Sequence, residues 1–316
     1  MGNIRLGYAC LNMTLGKQGG FRSMIKRTFD ANGPKMAGDL AVENLQRLCG
    51  ILEWNEKNGI KVYRMSSDMF PWATEYTFES LPQWLEIRSL LELAGSIAKR
   101  SGQRLSFHPG QFNCLSSLRQ SVIENSMKDL RIHGEIMDLM GLPRNHEAVI
   151  NIHLGGAFGQ RELAMERWCE AYSGLHDSVR SRLTVENDDR ANLFSVKDLY
   201  DGVFLKTGVP IVFDSHHWEV GPQERDLPYS EAIRTAASTW PSGIRPLCHH
   251  SSSAKVHEGK SVGLNAHADY IYSKFNSDGL EIDIEIEAKA KELAVIKYRD
   301  TWSASHLEDG QQIIPH

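Results

Sequence analysis

Three stretches decide how this chain reads: AVINIHLGG (148–156), RLTVENDD (182–189) and VPIVFDSHH (209–217). Each is a short apolar run of strand-forming residues. Each ends in a side chain able to bind a metal: His153, Glu186, and Asp214 with His217. Three further stretches end the same way. RLSFHPGQ (104–111) ends on His108, RPLCHHSSS (245–253) on His249 and His250, and EIDIEIEAK (281–289) on Glu287. Parallel strands covered on both faces read as nearly continuous apolar runs, and VINI, PIVF and IDIEI come close to that. A fold that sets six strand ends side by side would gather these residues into one site.

Working outward, the periodicity alternates between strands and helices. The expected strands are 5–8, 62–66, 104–108, 149–153, 183–186, 210–214, 246–249 and 282–287. Helical spacing is read over 41–58, 85–99, 122–140, 162–176, 196–205 and 229–237, with less regular helical connections near 268–275 and 288–298. Ser195 and Ser230 stand where helix caps are expected. Eight strand–helix units in a chain of 316 residues predict an α/β fold, a single (β/α)8 TIM barrel over 1–316, with its site at the C-terminal strand ends. A doubly wound open sheet is the competing architecture. It would more often place a glycine-rich phosphate turn after the first strand, and here that strand runs into Tyr8-Ala9-Cys10-Leu11-Asn12. That excludes the usual nucleotide-cofactor signature.

Composition fits this reading. The chain is 41% hydrophobic and 24% charged, as in soluble globular proteins, and no apolar stretch approaches the length of a membrane span. MGNIRLGYAC reads as a strand rather than a secretory signal. Five scattered cysteines without a CxxC suggest a reducing, cytoplasmic setting. The net charge of −5 does not advertise a nucleic-acid partner, although bound cations would add positive charge at a carboxylate-rich site. The segment 17–38 carries Lys17, Arg22, Lys26, Arg27 and Lys35 against only Asp30 and could touch phosphates; a solvated loop is the plainer reading.

Imidazoles and carboxylates together suit zinc, manganese or iron, and a bound ion lowers the pKa of water towards neutrality. The pattern therefore points to metal-assisted hydrolysis. Period-two alternation turns one of each adjacent histidine pair away, so His216 and His250 are read as bystanders. His133, His146, His176 and His257 are read as surface or packing residues. No G-x-S-x-G elbow supports a serine nucleophile.

At these residues the chain resembles the UV damage endonuclease family, relatives of endonuclease IV. The matching pieces are IRLGYACLNMTLG, AVENLQRLCGILEWN, SFHPGQF, INIHLGGAFG, TVENDD, GVPIVFDSHH, NAHAD and EAKAKE, in family order from Ile4 to Glu292. The resemblance implies a barrel with about three divalent metals, manganese, zinc or cobalt. It implies that His108, His153 and Glu186 hold one ion. Glu186 would bridge to a second, completed by Asp214, His249 and Glu287, and His217 and His267 would hold a third. Glu186, His249 and Glu287 would be the catalytic group. It also implies a monomer acting on double-stranded DNA, nicking it immediately 5′ of a UV photoproduct and leaving a 3′ hydroxyl and a 5′ phosphate. Gln111 and Phe112 match a Gln–Tyr pair that fills the gap opposite flipped-out bases, and Tyr8 and Asn12 match positions near the lesion. Two positions depart from the family. Glu75 stands where the family has a histidine and would be a hard-cation ligand there. Leu247 stands where the family has a lysine, carboxylated in some members. These departures keep two alternatives in view: a metal-dependent sugar isomerase or epimerase of the same barrel class, and a non-catalytic lesion-binding relative.

Overall fold

A computed structural model describes residues 4–222 and 226–303. Eight parallel strands close into a barrel in sequence order. They are β1 (Ile4–Ala9), β2 (Val62–Met65), β3 (Arg104–Phe107), β4 (Val149–His153), β5 (Leu183–Glu186), β6 (Ile211–Asp214), β7 (Leu247–His250) and β8 (Ile282–Ile286). The expected (β/α)8 architecture is present, and each strand lies within a residue of its expected bounds. β1 pairs with both β2 and β8, which closes the ring. Gly7 permits that closure, because a Cβ there would lie 1.9 Å from the Val62 carbonyl oxygen.

Along each strand, alternate side chains face opposite sides. Leu105, Phe107, Ile150, Ile152, Leu183, Val185, Ile211, Phe213, Ile282, Ile284 and Ile286 belong to the buried apolar cluster that also includes helix residues such as Leu45, Leu91, Leu130 and Trp168. The other face lines the barrel interior. Contacts across the ring show this: Asp283 of β8 bonds Arg104 of β3, and Glu285 of β8 accepts from Ser106 of β3. The interior is therefore layered. The layer at the N-terminal strand ends holds Val62, Val149, Val212 and Leu247 with Trp240. Asp283 lies level with Leu247, and the other interior carboxylates and the imidazoles lie above it.

Several helices differ from their sequence-based bounds. The first helix, α1 (Lys26–Lys57), begins well before residue 41 and breaks at Gly33 (φ 65°), followed by Pro34. Proline cannot donate to the preceding turn, so Asn-Gly-Pro reads as a loop although helix lies on both sides. The basic segment is thus largely helical rather than a loop. Its Arg22, Lys26 and Lys35 pair with Glu43, Asp30 and Asp39. The helix expected at 196–205 is Val196–Thr207 with a π turn over Tyr200–Phe204. The expected helix at 268–275 is absent; those residues are irregular and lead into β8. No helix among the described residues is long and apolar enough to cross a membrane.

Candidate metal centre

The interior-facing positions at the C-terminal strand ends converge. His108 follows β3, and its Nε2 lies 3.1 Å from Glu186 Oε2. His249 Nδ1 approaches the same oxygen at 3.1 Å. His217 Nδ1 lies 3.1 Å from Glu186 Oε1. Glu287, just past β8, reaches His249 Nδ1 at 3.4 Å through one oxygen and His267 Nδ1 at 3.5 Å through the other. His153 Nδ1 lies 3.2 Å from Asp188. Two groups have ligand atoms close enough to share an ion: His108, His153 and Glu186, and Glu186, Asp214 and His249. Glu186 belongs to both.

Local structure explains how each ligand is presented. β6 ends at Asp214, which caps the helix Ser215–Val220: Oδ1 accepts from the His216 and His217 amides at 2.7 and 2.8 Å. The cap fixes the carboxylate and leaves Oδ2 unbonded and buried. Asn187 ties β5 to β6 by exchanging two hydrogen bonds of 2.9 Å with the Asp214 backbone. Asn151 donates to Glu186 Oε2 at 2.5 Å and is itself held by Thr184. His267 arrives on a loop that folds back along Ser253 in a two-residue bridge.

The electrostatics are those of excess buried anions. Glu186, Asp188, Asp214, Glu285 and Glu287 share the site with one guanidinium, that of Arg64, among the described residues. Burial works against the charge on Glu186, but His249, His153, His108 and His217 outweigh it and hold the carboxyl well below its ordinary range. For Glu287, burial is outweighed by Arg64, His249 and His267, with the same result. Burial opposes protonation of His249 and His217, yet the carboxylates raise both well above the usual imidazole value. A field that holds protons on two buried imidazoles is a field that would hold a divalent cation. Glu186 Oε1, Asp214 Oδ2, His153 Nδ1 and His249 Nδ1 are buried without a hydrogen bond, as atoms intended for coordination would be. The donor set fits divalent metals that accept nitrogen and oxygen ligands.

His250 is held by Ser215 Oγ at 2.8 Å and the Ser273 carbonyl at 3.0 Å, in keeping with a bystander. His133 likewise packs between Ser67 Oγ and the Asp129 carbonyl. His216 is buried, with Nδ1 3.8 Å from Glu219. Glu75 is not brought to the centre. It sits 44% exposed on the loop after β2, 3.6 Å from Lys26. Leu247 lies two residues before His249, in the apolar layer beneath the ligands. Tyr8 and Asn12 are buried and bonded to each other at 2.8 Å, so neither side chain reaches solvent. Gln111 and Phe112 form an exposed turn directly after His108, with Phe112 83% exposed. A cavity of about 590 Å³ flanks this turn, lined by Ser67, Trp72, Phe112 and His133 among others.

A family model described as UV-endonuclease UvdE matches residues 4–313. The chain belongs to the UV-endonuclease family. The UV-damage endonuclease of Schizosaccharomyces pombe is 35% identical over 309 residues, spanning 93% of this chain and 50% of that protein. The chain thus spans about half the length of that relative, and 45% of the UV-damage endonuclease of Neurospora crassa. The UV DNA damage endonuclease of Bacillus cereus strain B4264 is 31% identical, with 95% of each chain covered. Among solved structures, the crystal structure of SacUVDE superposes with a TM-score of 0.81 at 27% identity, over 95% of this chain and 98% of that one. A D-psicose 3-epimerase from Clostridium cellulolyticum H10 superposes at 0.50 with 13% identity, over 76% and 78% of the two chains. That is a likeness of the barrel alone.

Residues that the sequence reading missed include Glu285, Asp188, Asn151, Asn187 and Arg64. The one signal that would have found a missed member of the cluster is in β8. Asp283, Glu285 and Glu287 alternate with isoleucines, so all three acids share the interior face.

Proposed function

We propose that this chain is a metal-dependent DNA repair endonuclease that hydrolyses a phosphodiester immediately 5′ of a UV photoproduct, leaving a 3′ hydroxyl and a 5′ phosphate. The observation that carries the proposal is the gathering of His108, His153, Glu186, Asp214, His217, His249, His267 and Glu287 at one barrel mouth, with buried coordinating atoms that have no hydrogen bond. Membership of the UV-endonuclease family supplies the substrate class. About three divalent ions, manganese, zinc or cobalt, would when bound supply an acidified water and positive charge against the phosphodiester oxygens.

The protein's own part is positional. Glu186 serves both ligand groups and sets their separation. Asp214 is fixed by its capping bonds. Glu287 is braced by Arg64, which also offsets part of the site's negative charge. Glu186, His249 and Glu287 form the catalytic group in this reading. Gln111 and Phe112 stand at the rim, where an aromatic face can take the place of unstacked bases. The adjoining cavity offers room for a displaced base. Tyr8 and Asn12 act from beneath the rim: Asn12 Oδ1 accepts from the Leu15 amide and shapes the loop after β1.

The test is nicking of UV-irradiated and unirradiated supercoiled plasmid by the purified protein. Nicking confined largely to irradiated DNA is expected. Failure to nick with manganese, zinc and cobalt alike would sink the proposal.

A further inference from the structure

Glu285 is a fully buried carboxylate that no step of the proposed reaction uses. It sits on β8 between Asp283 and Glu287, on the interior face and in register with His249. Its Oε1 accepts a hydrogen bond from Ser106 Oγ on β3, across the barrel. Its Oε2 lies 3.1 Å from His249 Nε2, with the Arg64 guanidinium farther off at 3.8 Å. His249 Nδ1, on the opposite edge of the ring, faces Glu186 and Glu287. The ring is therefore sandwiched: one nitrogen turned up to the ligand cluster, the other turned down to Glu285. Glu285 has no atom in either group of ligand atoms close enough to share an ion.

We propose that Glu285 is a positioning residue that takes the Nε2–H of His249, fixing the tautomer whose Nδ1 lone pair is presented to a metal. A ligating histidine commonly gives its other ring proton to a carboxylate, which fixes the ring and raises its basicity. Here that carboxylate comes from the strand beside the histidine and is itself anchored by a serine from the far side of the barrel. A geometric reason favours this role over direct ligation. Glu285 lies one interior step deeper along β8 than Glu287, level with His249 on the neighbouring strand, and outside both groups of ligand atoms. The inference rests on reading the cluster as metal-binding.

The test compares the wild-type chain with Glu285→Gln and Glu285→Leu, measuring metal affinity by competition with a chromogenic chelator and metal per chain by elemental analysis. Glutamine keeps an acceptor of the same shape, so its affinity should stay within a few-fold of wild type. Leucine removes the acceptor and should weaken metal binding about 10- to 100-fold. Side-chain ¹⁵N spectra of the zinc-loaded wild type should show His249 with its proton on Nε2. That measurement decides the matter even if the leucine variant does not fold. Wild-type affinity in Glu285→Leu, or a proton on Nδ1, would overturn the inference. So would the loss of one whole ion per chain in Glu285→Gln, because Glu285 would then be a ligand. If wild type binds no metal at all, it is the underlying reading that fails.

Discussion

The two ends of the barrel interior carry the same kind of residue and treat it in opposite ways. At the N-terminal end, Asp283 is buried with two arginines. Arg5 binds it through both carboxylate oxygens and Arg104 adds a bond of 2.9 Å. Arg104 also donates to the Arg245 and His146 carbonyls and lies against Trp240. Every charge there has a protein partner. At the C-terminal end, two and four residues further along the same run of sequence, Glu285 and Glu287 join Glu186 and Asp214 around neutral-capable imidazoles and a single guanidinium. Buried anions closed off by protein cations strengthen a fold or fix its register. Buried anions left in excess cost stability, and they are a means of holding a cation that comes from solution.

Substitutions at the two ends should therefore break different properties. The largest effect is expected from Glu186→Gln: nicking of irradiated DNA should fall roughly 10²- to 10³-fold, the scale of losing a key electrostatic group. Chemical denaturation of the metal-free protein near neutral pH should show lower stability, because the carboxylate that His249, His153, His108 and His217 hold ionised is gone. A variant that cuts at the wild-type rate would show that Glu186 bridges nothing. Next is Asp283→Leu, which strands the buried Arg104 guanidinium. Unfolding free energy should drop by about 3–5 kcal/mol, while the fraction that remains folded still nicks DNA. Loss of activity at full stability would erase the distinction between the two ends.

Smaller effects test the rim. Phe112→Ala should weaken binding to damaged duplex by about 1–3 kcal/mol in a competition assay, with affinity for intact duplex little changed. Because Phe112 is exposed, its loss should alter stability by about 0.5 kcal/mol or less. Equal losses on both DNAs would mean that the aromatic ring does not sense damage. Smallest is Glu75→Ala. Its pairing with Lys26 is exposed and screened by solvent, so stability should be little changed and metal content should not change. A fall in metal per chain would restore Glu75 to the ligand set.

The same contrast explains what could be read from sequence. The strands were legible because their outward faces are apolar and their ends carry distinctive ligands. His108, His153 and Glu186 needed only the assumption that strand ends meet. β8 was harder. IDIEI was read as a nearly apolar run, whereas two of its five residues are acidic and point into the barrel, where Arg5, Arg104 and Ser106 receive them from strands distant in sequence. Arg64 was hidden for the same reason, since its partners lie more than two hundred residues away. The early start of α1 was masked by Gly33-Pro34, a genuine local break inside a longer helix. Tyr8 and Asn12 could be placed near the mouth, but their burial depends on Asn55 in α1, to which Tyr8 donates at 2.7 Å.

The excess of anions at the barrel mouth is proposed to hold metals on which nicking would depend. The most direct test strips the protein with a chelator, confirms its fold by circular dichroism, and measures nicking of irradiated plasmid before and after manganese is returned. The stripped protein should be folded and inactive, and its nicking should return with the metal. A stripped protein that still cuts irradiated DNA at its original rate would contradict that dependence.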